Sequence, residues 1–117
     1  MENLSNEARY HLMSGSPVVA PVAAAPGYRG WVAVYNLEPQ PDRGMNVLLE
    51  AELGRVRFYR FEISQECLDN GWDPAGEERN VHESIVAGFD ALAEELARFN
   101  ARAADLVPAF KDKDFPF

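Results

Sequence analysis

Large apolar residues recur every three or four positions between Val81 and Val107, which is the spacing of one face of an α-helix. Asn80 can cap such a helix, and Glu83 then occupies the third position of a loose capping box. Pro108 disfavours helical backbone at the residue before it, so Val107 is a natural end. The spacing predicts one amphipathic helix of about 40 Å, with apolar positions at Val81, Ile85, Phe89, Leu92, Leu96, Phe99, Ala103 and Leu106.

Three segments before this helix have the patterns of strands. Trp31–Leu37 is apolar on both faces, and Met45–Leu53 alternates between apolar and polar residues. Arg55–Ile63 changes phase near Phe58, which indicates a bulge or two covered faces. The links between the segments are short, and Gly54 marks a tight connection. Short links favour an antiparallel meander.

The remaining segments predict short elements. Ser64 can cap a short helix over Gln65–Asp69, and Ser5 or Asn6 can cap another within residues 1–15. Pro21 removes a backbone donor, so its segment is expected to be an edge strand or an extended arm.

We therefore expect an α+β fold: a three-stranded antiparallel meander with a short helix and one long C-terminal amphipathic helix packed on the sheet. Residues 28–110 form the single domain, residues 1–27 an N-terminal arm, and residues 111–117 a C-terminal tail. The two phenylalanines of the tail are free to fold back onto apolar surface. No run approaches the roughly 20 apolar residues of a membrane span.

The acidic residues are concentrated in one third of the chain. Ten of the nineteen Asp and Glu residues lie between Glu62 and Glu95, together with a single base, Arg79, and the formal net charge of the whole chain is −8. Acidic surface often serves only solubility, but this clustering favours a basic protein partner and disfavours nucleic acid, whose phosphates it would repel. The candidate partner-binding residues are Glu66, Asp69, Trp72, Asp73, Glu77 and Glu78. Trp72 either plugs the core or forms a hot spot ringed by charge.

Residues that carry out chemistry are sparse. The lone cysteine, Cys67, has no recognisable spacing to His11 or His82, so we expect a buried, inert thiol. The loop after Asp69 lacks the spacing of an EF-hand. Arg57 and its neighbours either protect a strand edge or bind a small anion or acidic peptide; the group is Arg55, Arg57, Tyr59 and Arg60. We expect no catalytic residue, no metal site and no cofactor.

These features favour a small acidic, non-enzymatic binding module that masks a basic partner, as an immunity protein or antitoxin-like inhibitor does. One alternative is a homodimeric structural or chaperone-like protein that pairs through a small-residue shoulder of the long helix, formed by Val86, Ala93, Ala97 and Ala104. A small enzyme with an unrecognised cleft is another. Acidic residues precede the first base, Arg9, unlike a secretory signal, and one cysteine allows no internal disulfide. We expect a cytoplasmic protein.

Overall fold

A computed structural model describes residues 4–117 as an α+β fold with one five-stranded antiparallel sheet and four α-helices. The helices are α1 (Asn6–Ser14), α2 (Met45–Glu50), α3 (Gln65–Asp69) and α4 (Phe89–Ala97). The strands are β1 (Val18–Val22), β2 (Tyr28–Asn36), β3 (Arg55–Ser64), β4 (Arg79–Ala87) and β5 (Val107–Pro108). They lie in the order β4-β3-β2-β1-β5. Two 3-10 turns, Ala103–Asp105 and Ala109–Lys111, flank β5.

Neighbouring strand residues point to opposite sides of the sheet, and both faces carry a buried cluster. One face, here the helical face, is covered by α1, α2 and α4 and carries a core that includes Val18, Val32, Val34, Val56 and Phe58. The other, here the tail face, carries Trp31, Phe61 and Ile63 and is covered by Cys67 of α3 and by Phe115. The double burial explains the phase change in β3, where Phe58 and Phe61 are both fully buried on opposite faces.

The long helix predicted over Val81–Val107 is wrong. The first part of this segment is β4, which pairs antiparallel with β3, and α4 begins only after Gly88. Gly88 has φ 89°, a conformation that a helix interior excludes and that glycine adopts easily. Val81 and Ile85, which the helical pattern placed in the core, are 50% and 63% exposed.

The expected N-cap of that helix, Asn80, lies instead at a bulge. The pairing of β3 with β4 shifts by one residue between Arg60 and Glu62, and the extra residue falls on β4. Asn80 adopts φ 51° there, which asparagine tolerates better than most residues. Glu83 is a strand residue opposite Tyr59, so no capping box forms.

The strand predicted over Met45–Leu53 is also wrong. Its first six residues form α2, in which Leu48 is fully buried while Met45 and Val47 are about half exposed. Met, Leu and Glu favour helix, and Gly44 accepts the first helical hydrogen bonds from Val47 and Leu48. The predicted three-stranded meander is therefore wrong. The sheet has five strands, because β1, β4 and β5 join β2 and β3.

Other expectations are confirmed. Ser5 Oγ accepts a hydrogen bond from the Ala8 amide at 3.1 Å and caps α1, and Ser64 caps α3 in the same way. By contrast, the expectation that Pro21 lies on an edge strand or an extended arm is wrong, because β5 pairs with the outer side of β1. Proline is still tolerated there, since β5 pairs with Val18 and Val19 alone and needs no donor from Pro21. Within residues 4–117, no helix is both long and apolar enough to cross a membrane.

Candidate functional site

The loop that follows α3 is held to the sheet through Cys67. Ser64 Oγ accepts a hydrogen bond from the Cys67 amide at 3.1 Å, which begins α3. The Cys67 side chain is 2% exposed and packs with Trp31 on the tail face. Its carbonyl accepts a hydrogen bond from the Trp72 amide at 3.1 Å, and its thiol donates to the Trp72 carbonyl at 3.7 Å. The loop is therefore tied back to the helix from which it starts.

The six candidate partner-binding residues lie on α3 and on this loop. All are exposed except Glu78, which is half-buried; we call the set the acidic surface (Glu66, Asp69, Trp72, Asp73, Glu77 and Glu78). The structure places them where a second molecule can reach them.

Most of this negative charge is uncompensated. Asp73 Oδ1 accepts a hydrogen bond from the Ala75 amide at 3.0 Å, which shapes the turn without neutralising the charge. Glu77 lies 3.9 Å from Arg79, and both side chains are more than half exposed. An ion pair that exposed contributes little, because water and salt screen it.

Trp72 is 55% exposed, so the prediction that it plugs the core is wrong. The core of the tail face is already filled by Phe61, Ile63 and Cys67, with Phe115 packed against them. The other reading, an aromatic hot spot surrounded by charge, stays a prediction.

The part of the tail face nearest β4 has no covering segment among residues 4–117. We call it the open half, and its side chains are Tyr35, Arg57, Tyr59, Val81, Glu83 and Ile85. Arg57 donates two hydrogen bonds to the Glu83 carboxylate, at 3.0 and 3.1 Å. Its guanidinium carbon lies 5.4 Å from the ring centroid of Tyr35 and 5.0 Å from that of Tyr59. Arginine and tyrosine are the residues that interfaces favour.

Electrostatics link the open half to the acidic surface. The hydrogen bonds to Glu83 raise the pKa of Arg57, although partial burial opposes the shift, and the same bonds lower the pKa of Glu83. Burial raises the pKa of Tyr59, and the nearby carboxylate of Glu78 raises it further. Glu78 is therefore close enough to Tyr59 for their charges to interact.

The arginines grouped in the sequence are separated by the fold. Arg57 points to the tail face, whereas Arg60 points to the helical face and pairs with the buried Glu62 at 2.5 Å. Arg55 lies 3.6 Å from Glu38. Each arginine has its own carboxylate, so the three do not form an anion site.

A buried carboxylate that sequence reasoning missed lies between α4 and β4. Glu95 is 8% exposed and accepts hydrogen bonds from Ser84 at 3.1 Å and Arg98 at 2.9 Å, and it lies 3.1 Å from His82 Nε2. Ser84 and His82 both meet the same carboxylate and are not arranged as a serine activated by a histidine. The cluster therefore fastens α4 to the sheet. The helical spacing held a signal for Glu95, because it follows the buried Leu92 by three positions and so lies beside the apolar face of the helix.

The remaining candidates for chemistry are dispersed. The His11 ring packs against Tyr10 and Phe110, with centroids 5.3 and 5.2 Å away. A cleft of about 440 Å³ between α2 and the start of α4 is lined by Arg9 and by several carboxylates. Arg9 is engaged there, since it donates to the Ala51 carbonyl at 2.9 Å and lies over the Phe89 ring at 4.3 Å. In the described part of the chain, no group of three or more His, Cys, Asp or Glu side chains is placed to hold a metal.

Within residues 4–117, the acidic surface and the open half are both exposed and have the composition of an interface. Both lie on the side of the sheet that α3 and the tail only partly cover. Comparison with known protein families, with curated proteins and with solved structures finds no match to this chain.

Proposed function

We propose that the protein is a non-enzymatic binding module that masks a basic protein partner, in the manner of an immunity protein or an antitoxin-like inhibitor. The observation that carries the proposal is the acidic surface, where exposed carboxylates precede and follow Trp72 along α3 and the loop, and Trp72 is itself 55% exposed. An aromatic anchor ringed by charge is a common arrangement in tight protein interfaces.

A protein is a better partner for this surface than a nucleic acid or a membrane. Binding to nucleic acid requires cations against phosphates, and Arg79 is the only cation between Glu62 and Glu95. An anionic bilayer would be repelled for the same reason. Basic protein surface offers both the charge for the carboxylates and the apolar area for an indole ring.

The charge is expected to act mainly on the rate of encounter. A coherent field of one sign speeds association by about ten- to a thousandfold and loses its effect as salt rises. The screening length is about 8 Å at physiological ionic strength. Trp72 should act on dissociation instead, because contacts in a desolvated centre set the lifetime of a complex.

The homodimer alternative loses the surface on which it was based. The small-residue shoulder needed one continuous helix, but Val86 lies on β4, Ala93 and Ala97 lie on α4, and Ala104 lies in a 3-10 turn. No observation favours it over a basic partner.

The test compares two variants that change the net charge equally. The first reverses Glu66, Glu77 and Glu78 to lysine, and the control reverses three exposed acids elsewhere, Asp42, Glu50 and Glu52. The probes are the basic proteins encoded beside this chain's gene, with association and dissociation followed by surface plasmon resonance at low and physiological salt. We expect the first variant to associate at least tenfold more slowly than the control.

Substitution of Trp72 by alanine should raise the dissociation rate and leave the association rate near that of the unaltered protein. If both triple variants bind alike, or if salt has no effect, the acids only solubilise the protein. Failure of every basic neighbour to bind would refute the masking function itself.

A further inference from the structure

The strand β4 forms one edge of the sheet, and the direction of its backbone groups follows from the hydrogen bonds beside it. Gly88 N–H donates to the Gly54 carbonyl at 3.2 Å, so Gly88 points its backbone groups toward β3. In an antiparallel ladder this direction alternates from residue to residue. The backbone groups of Glu83, Ile85 and Ala87 therefore point away from β3. Leu37 N–H donates to the Arg55 carbonyl at 3.0 Å, so the backbone groups of Arg55 point toward β2 and those of the next residue in β3 point toward β4. This direction agrees with the one derived from Gly88.

This edge is open. Among residues 4–117, no strand pairs with the outer side of β4, which is nine residues long and contains neither lysine nor proline. Its bulge lies near one end, at Asn80, so the rest of the strand continues undistorted. The helix α4 packs on the helical face, through Glu95 and His82, and leaves the edge uncovered. Natural sheets usually protect such an edge with charge, proline or a covering segment.

Two exposed side chains at the edge are apolar, and the residues near them along the chain are mostly acidic. Val81 and Ile85 are 50% and 63% exposed on the tail face. Acidic residues stand on either side of them along the chain; they are Glu77, Glu78, Glu83, Asp90 and Glu94. The only basic residue of the strand, Arg79, lies at its start beside Glu77.

We propose that the β4 edge binds a β-strand of the basic partner, which adds to the sheet as a sixth strand. The proposal rests on the proposed function and names the contact that the partner makes. Backbone hydrogen bonds form to Glu83, Ile85 and Ala87. An aliphatic side chain of the partner packs on Ile85, and lysine or arginine two positions away lies beside the carboxylates.

Charge favours a foreign basic strand over a second copy of this chain. Antiparallel pairing of two copies brings Glu77 and Glu78 of one copy toward Asp90 and Glu94 of the other. Parallel pairing brings each Glu83 toward its equivalent. Both arrangements oppose like charges, whereas a basic strand meets Glu83 within the edge and the acidic residues that precede and follow it along the chain.

The experiment measures amide hydrogen exchange by NMR with defined peptide probes. The first probe is a capped seven-residue peptide, Lys-Thr-Val-Thr-Lys-Thr-Val, in which lysine and valine alternate along one face of the strand. One control probe replaces lysine by glutamate, and another keeps every lysine but replaces valine by proline. We expect the lysine–valine peptide alone to slow exchange at Glu83, Ile85 and Ala87. The amides of Ser84 and Val86 serve as internal references, because they already bond to β3.

Two variants of the full chain separate the backbone contact from the side-chain contact. Ile85→Pro removes a donor that points to solvent, which an edge strand tolerates. Ile85→Ala removes the same side chain and keeps the donor. We expect the proline variant to bind the lysine–valine peptide about three- to tenfold more weakly than the alanine variant. Equal affinities would overturn the proposal, and the exchange measurement decides it if the proline variant does not fold.

The outcomes also separate this proposal from the proposed function. If the basic peptides perturb only the acidic surface, the edge proposal is wrong and the masking function stands. If no peptide binds, the edge proposal is wrong, and the masking function is judged by the association assay with whole proteins. If the three edge amides are slow without peptide and sedimentation shows a dimer, the edge is occupied by a second copy, which also overturns the proposal.

Discussion

Glu62 provides a direct test of how the β1–β2 loop and the start of β4 are held to the sheet. Its side chain is 4% exposed and accepts hydrogen bonds from the Ala25 amide at 3.0 Å and from Asn80 Nδ2 at 3.1 Å. It also pairs with Arg60 at 2.5 Å. These contacts join the β1–β2 loop, β3 and the bulge of β4. Glu62→Ala should therefore loosen the start of the strand that carries the open edge.

The expected cost follows from what the substitution leaves behind. Arg60 is 13% exposed and would keep its charge without a carboxylate, although it still donates to the Asn80 and Ala23 carbonyls. Removing one partner of a buried ion pair costs about 3–5 kcal/mol. The matched control is Glu83→Ala, which removes the carboxylate partner of Arg57 from an exposed pair on the same sheet. Solvent screens that pair, so the control should lose much less stability.

The pH dependence gives a second readout for Glu62. Burial alone would raise the pKa of its carboxyl, but the bonds from Ala25, Asn80 and Arg60 outweigh burial and lower the pKa below its usual value. A lowered folded-state pKa contributes stability that is present above the unfolded value, about 4.3. That contribution is lost as the pH falls through the folded pKa. Glu62→Gln should therefore show a shallower loss of stability below about pH 5 than the unaltered protein.

Urea unfolding followed by the fluorescence of Trp31, which is fully buried, measures both effects. The reasoning would be refuted if Glu62→Ala and Glu83→Ala cost the same. It would also be refuted if Glu62→Gln lost stability below about pH 5 as steeply as the unaltered protein does.

Three further predictions probe the corrected fold, two of them with a control substitution. Leu96→Ala should destabilise by roughly 2–5 kcal/mol because Leu96 is fully buried, whereas Glu94→Ala should change stability by less than about 0.5 kcal/mol, as urea unfolding can show. Gly88→Ala should cost about 1 kcal/mol or more because its φ is 89°, although a Cβ has space there. Gly44 is also an N-cap with space for a Cβ but has an ordinary φ, so Gly44→Ala should cost less than Gly88→Ala in thermal unfolding. Cys67→Ala should lose roughly 0.5–3 kcal/mol of stability and leave partner binding unchanged, and a folded variant that no longer binds would contradict an inert thiol.

The segment Val81–Leu106 shows why periodicity misled the prediction of the fold. Leu92, Leu96 and Leu106 are fully buried as expected, but they belong to α4 and to the segment after it. Val81 and Ile85 happen to continue the same spacing from a strand. Strand pairing with β3 is a long-range contact that no local pattern contains. The local signal available was Gly88, together with the β-branched residues before it.

The local elements were predictable because their causes are local. Serine caps fixed both short helices, and the turn after Leu37 follows from its prolines and glycine. The acidic surface could be located from charge alone. The open half could not, because Arg57, Tyr59 and Glu83 meet across two strands whose pairing the sequence did not reveal.

The covering of the tail face also determines how much apolar sheet a partner can see. Phe115 and Phe117 pack their rings against Phe61, at centroid distances of 6.1 and 5.3 Å, and Phe115 also meets Trp31. This aromatic strap ends where Tyr59 begins the open half. Removal of these two phenylalanines would expose Trp31 and Phe61 beside Tyr59 and Ile85, as one apolar patch across β2, β3 and β4. The strap thus limits the area of apolar sheet that is exposed to solvent, and with it the tendency of this face to associate nonspecifically.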